Sequence, residues 1–345
     1  MDMRTDVRDD EHDSGTEFVR SHSGSKQRRA DAMTKSERIQ AAIRGEAVDR
    51  VPYSLWYHFR TNPPAGETLA NAELEFYAKY DPDLLKVMHD IPYELPLGMT
   101  SVQSIDDWEK LNVLPPDKGN FGEQLVALRI IQRRKGDDAP MVDTVFSVFA
   151  YAQKISQQQM LHHLRQDPDK VRRGLERMAQ SLAGYARKLA EEGIGTYLAV
   201  AGASADLATP EEYERYFLPL DEMVLDAAQG APVNVLHLHG ENIYFDLMLP
   251  LTSKAHILSW SNRLTPPSIP EARLKYTGCI MAGVDEVNIK SLTVEQVKAQ
   301  VRETIEQTRG RGIIVAPGCA VPTDTPPELL LAIREAVLEA GGTAA

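Results

Sequence analysis

The sequence predicts an α/β protein, a (β/α)8 TIM barrel in one domain, and three observations carry that prediction. Eight short apolar runs alternate with stretches of helical period. They occupy roughly 310 residues, near the length such a barrel needs. The ionisable residues that look chemically useful fall just after the C-terminal ends of those runs, where barrels of this kind keep their active sites. A doubly wound open sheet is the alternative, because strand order cannot be read from one chain.

The elements follow in order. Apolar residues Ile39, Ala42 and Ile43 recur at helical spacing and Gly45 closes that helix. The first strand is expected over 50–57, with Pro52 near its start where a missing donor matters least, and it leads to His58 and Arg60. A helix over 69–79 precedes the second strand, 83–88, which ends at His89 and Asp90. Residues 91–119, punctuated by Pro and Gly, form a long connection of the kind that often serves as a lid or binding loop. Then come a helix over 123–134, a third strand over 140–147, and a helical region over 151–192 interrupted at Asp167-Pro168. The fourth strand is 196–201. Thr209-Pro210-Glu211-Glu212 reads as an N-cap with Pro at the first helical position, opening a helix to about 229. The fifth strand covers 233–240, the sixth 257–261 and the seventh 279–284, with a short helix over 268–275 between the last two. A helix over 292–309, the eighth strand over 312–316 and a helix over 325–340 complete the set.

Composition narrows the function classes. A net charge of −12 argues against nucleic-acid binding, which needs a concentrated basic surface. Two cysteines, Cys279 and Cys319, make no disulfide framework and fit a reduced, cytoplasmic setting. No run of about eighteen apolar residues is present to cross a membrane. Residues 1–32 are rich in Asp, Arg, Ser and His and are expected to be a disordered extension, so the ordered domain is placed at 33–345. That extension lacks a signal peptide's apolar core, and its acids count against a transit peptide.

The chemistry concentrates in the fifth predicted strand. His237 and His239 stand two apart, so on a strand both imidazoles leave the same face. About eighty residues on, the eighth run enters Pro317-Gly318-Cys319. Zinc accepts imidazole nitrogen and thiolate sulfur together, and three protein ligands leave one position for a reactant. His237, His239 and Cys319 are therefore the expected ligands of one Zn2+ per chain, against the plainer reading of a core histidine and a capping group. Glu241, Asp90 and Asp285 are the candidate acid–base groups, although a carboxylate at 241 also suits a helix N-terminus. His58, Arg60, His89 and Glu286 are candidate substrate contacts. Trp56, Tyr57, Tyr93 and Trp260 are candidates for the apolar wall, each with a core role as the alternative, and Cys279 reads as a buried small hydrophobe.

The chain resembles the uroporphyrinogen decarboxylase superfamily over nearly all of residues 33–340. The resemblance rests on Lys35-Ser36-Glu37-Arg38-Ile39 with Arg50-Val51-Pro52, on Tyr80 to Met88, and on His237-Leu238-His239-Gly240. Gly283-Val284-Asp285-Glu286 and Ala316-Pro317-Gly318-Cys319 with Pro322, Thr325 and Pro326 extend it. It implies a (β/α)8 barrel and, for many members, a homodimer. True decarboxylases of the superfamily carry an Arg-Gln-Ala-Gly-Arg segment whose arginines hold porphyrinogen carboxylates; here the place reads Trp56-Tyr57-His58-Phe59-Arg60, and Asp90 is the nearest counterpart of their catalytic aspartate. The zinc-dependent methyltransferases, which work with corrinoid proteins or coenzyme M, carry His-x-Cys and a later Pro-Gly-Cys turn. His237 and Cys319 match the outer positions, and His239 replaces the middle cysteine.

The resemblance thus implies a zinc-dependent methyl- or alkyl-transferase that activates a small-molecule thiol or alcohol, with a corrinoid on a separate carrier protein as donor. A cofactor-free decarboxylase of a tetrapyrrole or another carboxylate, and a non-catalytic binding barrel, are the alternatives.

Overall fold

A computed structural model describes residues 33–341, and the N-terminal extension expected over 1–32 lies outside the described residues. Seven parallel strands form one sheet in sequence order: β1 (Leu85–Val87), β2 (Met141–Phe146), β3 (Gly195–Val200), β4 (Val235–Leu238), β5 (Ile257–Trp260), β6 (Cys279–Val284) and β7 (Ile313–Pro317). Helices lie between successive strands, so every connection is a crossover and the sheet curls in the manner of a TIM barrel. Strand order that follows the sequence without reversal separates this arrangement from the doubly wound alternative.

The first predicted strand, 50–57, is the exception. It makes one parallel bridge, Tyr53 to Val315 of β7, so the second predicted strand becomes β1 and the numbering shifts by one. The backbone explains why. Pro52 has no N–H to donate, and its carbonyl accepts from Val315 N–H at 2.9 Å while Ser54 N–H donates to the Val315 carbonyl at 2.9 Å. On the other side the Tyr53 carbonyl takes Asp83 N–H at 2.9 Å, and the remaining bonds to the approach to β1 run through side chains, Tyr53 N–H to the Asp83 carboxylate at 3.1 Å and Ser54 Oγ to the Leu84 carbonyl at 2.8 Å.

Burial follows the two-residue period. In β7, Ile314 and Ala316 face an inner cluster with Tyr197, Val235, Ile257 and Met281, while Ile313 and Val315 face the outer helices. The helix Lys35–Ile43 starts from a Thr34 capping box and adds Ile39 and Ala42 to the inner cluster. The predicted break at 167–168 is real: Asp167 caps a helix over Pro168–Glu191, and Thr209 caps the next through a capping box with Glu212. Among the described residues no helix is long and apolar enough to cross a membrane.

One buried acid ties a helix to the backbone just after β1. Glu73, on the helix Gly66–Tyr80, is 1% exposed and accepts a 2.8 Å hydrogen bond from Met88 N–H. Burial pushes its carboxyl up from 4.5 to about 8, against the bond from Met88 and the field of Lys86. A folded-state value above the unfolded one means that the fold favours the protonated acid, so stability falls as pH rises from about 4.5 through about 8. Glu73→Gln keeps an acceptor for Met88 and removes the titration. Urea melts are expected to show the variant more stable than the parent by on the order of 1–3 kcal/mol at pH 8 and level with it near pH 4.5.

Candidate metal centre

Alternation along β4 sets the site. His237 and His239 project into the mouth of the curled sheet, and His239 N–H extends the ladder past β4 by donating to the Val200 carbonyl at 2.8 Å. Cys319 arrives from the turn after β7. Gly318 N–H there donates to the Val284 carbonyl at 3.1 Å and to Glu286 Oε2 at 3.1 Å, and Ser261 Oγ donates to the other Glu286 oxygen. Gly318 has no room for a side chain, since a Cβ would stand 2.5 Å from Ser261 Cα and 2.7 Å from Glu286 Oε2. Gly318→Ala must therefore shift this turn, and isothermal titration calorimetry is expected to show zinc affinity at least about tenfold weaker, an effect of the size seen when the shell around metal ligands is disturbed.

The donor atoms of His237, His239 and Cys319 all lie within 4.8 Å of one another, and Cys319 Sγ is 3.6 Å from His239 Nδ1. Two ligands of one tetrahedral zinc ion, with bonds of about 2.0 and 2.3 Å, are separated by roughly 3.5 Å, so this spacing suits the ion. His237 is 2% exposed; its Nδ1 meets Ser259 Oγ at 3.2 Å, and its Nε2 is buried without a hydrogen-bond partner. A buried imidazole nitrogen left unpaired is costly, and a coordinated cation removes the cost. Burial would raise the Cys319 thiol, yet His237 beside it, the Ala320 N–H and the Lys86 ammonium outweigh burial and hold it below its ordinary value. Burial in turn keeps His237 low, in the neutral form that ligates. The donor set fits zinc.

Around the three lies a cavity of about 310 Å³ walled by Trp56, Lys86, Met88, Thr144, Phe146 and Tyr197 among others, with no acidic residue in its lining. His58 lines its rim, with Nδ1 2.6 Å from Asp90 Oδ1. The other sequence candidates sit elsewhere. His89 is 2% exposed and points outward to Asp143 at 3.3 Å, between Phe121 and Tyr185. Tyr93 bonds Ser181 at 3.2 Å, and Trp260 is fully buried with Nε1 donating to the Pro267 carbonyl. Asp285 accepts from the N–H groups of Val287 and Asn288, Glu241 and Arg60 are exposed, and Glu286 braces the Cys319 turn. Lys86, Met88, Thr144 and Tyr197 escaped the sequence reading; the available signal was a lysine inside the apolar run Leu84 to Met88.

Fold and site together define a barrel-like α/β protein with a His/His/Cys cluster able to hold a metal ion over the C-terminal ends of its strands. The profile of the family described as uroporphyrinogen decarboxylase (URO-D) matches residues 89–340, and the chain belongs to that family. Two relatives share the methyltransferase branch. A methylcobamide:CoM methyltransferase, MtbA, of Methanosarcina mazei is 27% identical over 230 residues, 66% of this chain and 66% of its own. Its counterpart in Methanosarcina acetivorans is 24% identical over 329 residues, 85% of this chain and 94% of its own. A solved methyltransferase from Methanosarcina mazei superposes with a TM-score of 0.72 at 20% identity, covering 89% of this chain and 99% of that one, and so shares the fold.

Proposed function

We propose that this protein is a zinc-dependent methyl- or alkyl-transferase whose metal is held by His237, His239 and Cys319. The observation that carries the reading is the buried, unpartnered Nε2 of His237 facing two further ligand atoms. The scaffold is read as a (β/α)8 barrel over residues 33–345, with the Pro52–Ser54 segment as its eighth stave. A bound zinc ion makes a coordinated thiol or hydroxyl acidic enough to be a nucleophile at neutral pH. The chain's own part is to aim three ligands at one point, to hold the Cys319 thiol below its ordinary value, and to enclose the acceptor in an apolar cavity that excludes water. The acceptor loses its proton to solvent and forms a new bond to the methyl carbon; the electron pair of the broken bond stays with the donor. The two relatives named for methylcobamide support a corrinoid donor, delivered here by a separate carrier protein at the open mouth. A reduced cytoplasmic setting and a homodimer complete the reading.

His239 stands where the methyltransferases have a cysteine. A neutral imidazole in place of a thiolate leaves the ion one unit more positive, which widens the acceptor range toward alcohols. The tetrapyrrole decarboxylase reading is less well supported. A cavity of about 310 Å³ lies at the lower end of small-molecule sites, and its wall offers one lysine where several carboxylates would need partners.

The test is demethylation of methylcobalamin, followed by absorbance, with short thiols and alcohols as acceptors. Zinc-loaded protein is expected to turn over, to stop with a chelator and to recover with zinc. Failure with every acceptor, together with carbon dioxide release from uroporphyrinogen by metal-free protein, would establish the decarboxylase. Acceptor binding without turnover, insensitive to chelator, would point to a binding barrel.

A further inference from the structure

The cavity wall holds one base that the metal centre leaves unused. Along residues 56–59 side chains alternate: Trp56 and His58 face the cavity, while Tyr57 and Phe59 pack their rings on Phe76. This segment is tied to the chain just after Cys319, for Val321 N–H donates to the Trp56 carbonyl at 3.1 Å and Thr323 Oγ1 to the His58 carbonyl at 2.7 Å. His58 therefore rests on the same support as a proposed metal ligand. Asp90 stands two residues beyond Met88, in the phase that turns Lys86 and Met88 inward, and its Oδ1 lies 2.6 Å from His58 Nδ1. An ionised carboxylate only accepts, so Nδ1 carries the proton of that bond and the lone pair of the neutral ring is left on Nε2. The His58 side chain is 47% exposed while lining the cavity, so the ring has one edge on the pocket and another in water.

A thiol or hydroxyl that becomes a nucleophile gives up its proton, and a base in the pocket wall is placed to take it. The other titratable side chains of the wall do not serve. His237, His239 and Cys319 are the proposed metal ligands. Lys86, which burial pushes down to about 8, is largely an ammonium at pH 7 and donates to Thr144 Oγ1 at 2.8 Å. Burial pushes Tyr197 well above its ordinary value, so it stays a phenol. The charged groups on the segments beside His58 are Asp90, Arg60 two residues on, and Asp324 after Thr323, which pairs with Lys290 at 2.5 Å. We propose that His58 is the catalytic base of this pocket and Asp90 its positioning residue: the S–H or O–H bond of the acceptor breaks, its electron pair stays on sulfur or oxygen, and the proton passes to His58 Nε2. Asp90 and the anion left on the acceptor both favour the imidazolium while the acceptor is bound. Once the new bond to the methyl carbon has neutralised the acceptor, the proton leaves through the exposed edge of the ring to solvent. This assignment rests on the transferase reading for the nature of the acceptor, and the test separates the two.

Calorimetry of mercaptoethanol binding to zinc-loaded protein at pH 7.5, repeated in buffers of different ionisation enthalpy, counts the protons that binding sends to the buffer. The free thiol is protonated at that pH and binds as thiolate, so the count shows where its proton goes. The parent is expected to release about 0.5 proton or fewer per thiol, because His58 keeps the rest. His58→Gln keeps a donor for Asp90 but has no base, and is expected to release about one, with zinc content unchanged. Asp90→Asn removes the charge that favours the imidazolium and moves the count toward one. A parent count of one, or a lower count that His58→Gln leaves unchanged, overturns the assignment. Nitrogen-15 NMR of histidine-labelled, metal-free protein at pH 9 gives a second readout that needs neither zinc nor thiol. The His58 signals, identified by their loss in His58→Gln, are expected to show Nδ1 protonated and Nε2 bare, and the opposite tautomer overturns the proposal. Protein that holds no zinc yet shows the expected tautomer contradicts the metal ligands and supports the His58–Asp90 pair.

Discussion

Cys319→Ala is expected to abolish tight zinc binding while leaving the fold intact. Cys319 supplies the only sulfur and the only negative charge among the three ligands, so the variant presents two neutral imidazoles to a divalent ion. Thiolate is the strongest of these donors for zinc, and loss of one ligand of three removes more affinity than the about 10- to 100-fold typical of a supporting residue. Cys319 sits in a turn beyond β7 and is partly exposed, so its truncation opens no core cavity. Atomic emission after dialysis should find near-stoichiometric zinc in the parent and almost none in the variant, with matching far-ultraviolet circular dichroism and loss of turnover. Zinc retained in Cys319→Ala would remove this cysteine from the site.

Asp83→Ala is expected to be the most damaging single change to stability. Asp83 is fully buried at the entrance to β1, where it accepts from Arg38 at 2.8 Å, from both guanidinium nitrogens of Arg50 at 2.6 and 2.9 Å, and from Tyr53 N–H at 3.1 Å. It therefore fastens the N-terminal helix and the Pro52–Ser54 segment to the sheet at the place where backbone pairing is thinnest. Its removal leaves two poorly hydrated guanidinium groups and an unpaired N–H, a loss of about 3–5 kcal/mol. Asp49, which also holds Arg38, limits but does not replace the lost charge. Urea denaturation followed by tryptophan fluorescence measures it, and a change below about 1 kcal/mol would mean that the cluster is ornamental.

Much of the fold was legible because it is written in period and length. Seven of the eight apolar runs became strands within a few residues of their expected limits, since a strand buried on both faces has little freedom to be anything else. The run at 50–57 did not, because Pro52 cannot complete a ladder and a local apolar pattern says nothing of which neighbours offer partners.

The site was legible where spacing alone decides direction. His237 and His239 share a face by their two-residue separation, and the structure brings Cys319 to them. Elsewhere the phase of the alternation mattered. Lys86 and Met88 point inward, so His89, one residue on, points outward to Asp143. The sequence offered the run but not which half of it faced the cavity. The same phase question divides Asp285, which caps the following turn, from Glu286, which braces Gly318. Tyr197 and Thr144 had no local mark at all, being ordinary strand residues made important by what lies across the barrel.

The most direct test of the central claim is X-ray absorption at the zinc edge of the loaded protein, alone and with a short thiol acceptor. One sulfur near 2.3 Å with two imidazole nitrogens near 2.0 Å, becoming two sulfurs when the thiol is added, is the expected result. A shell of oxygen only would contradict the ligand set, and one unchanged by the thiol would contradict the chemistry proposed for it.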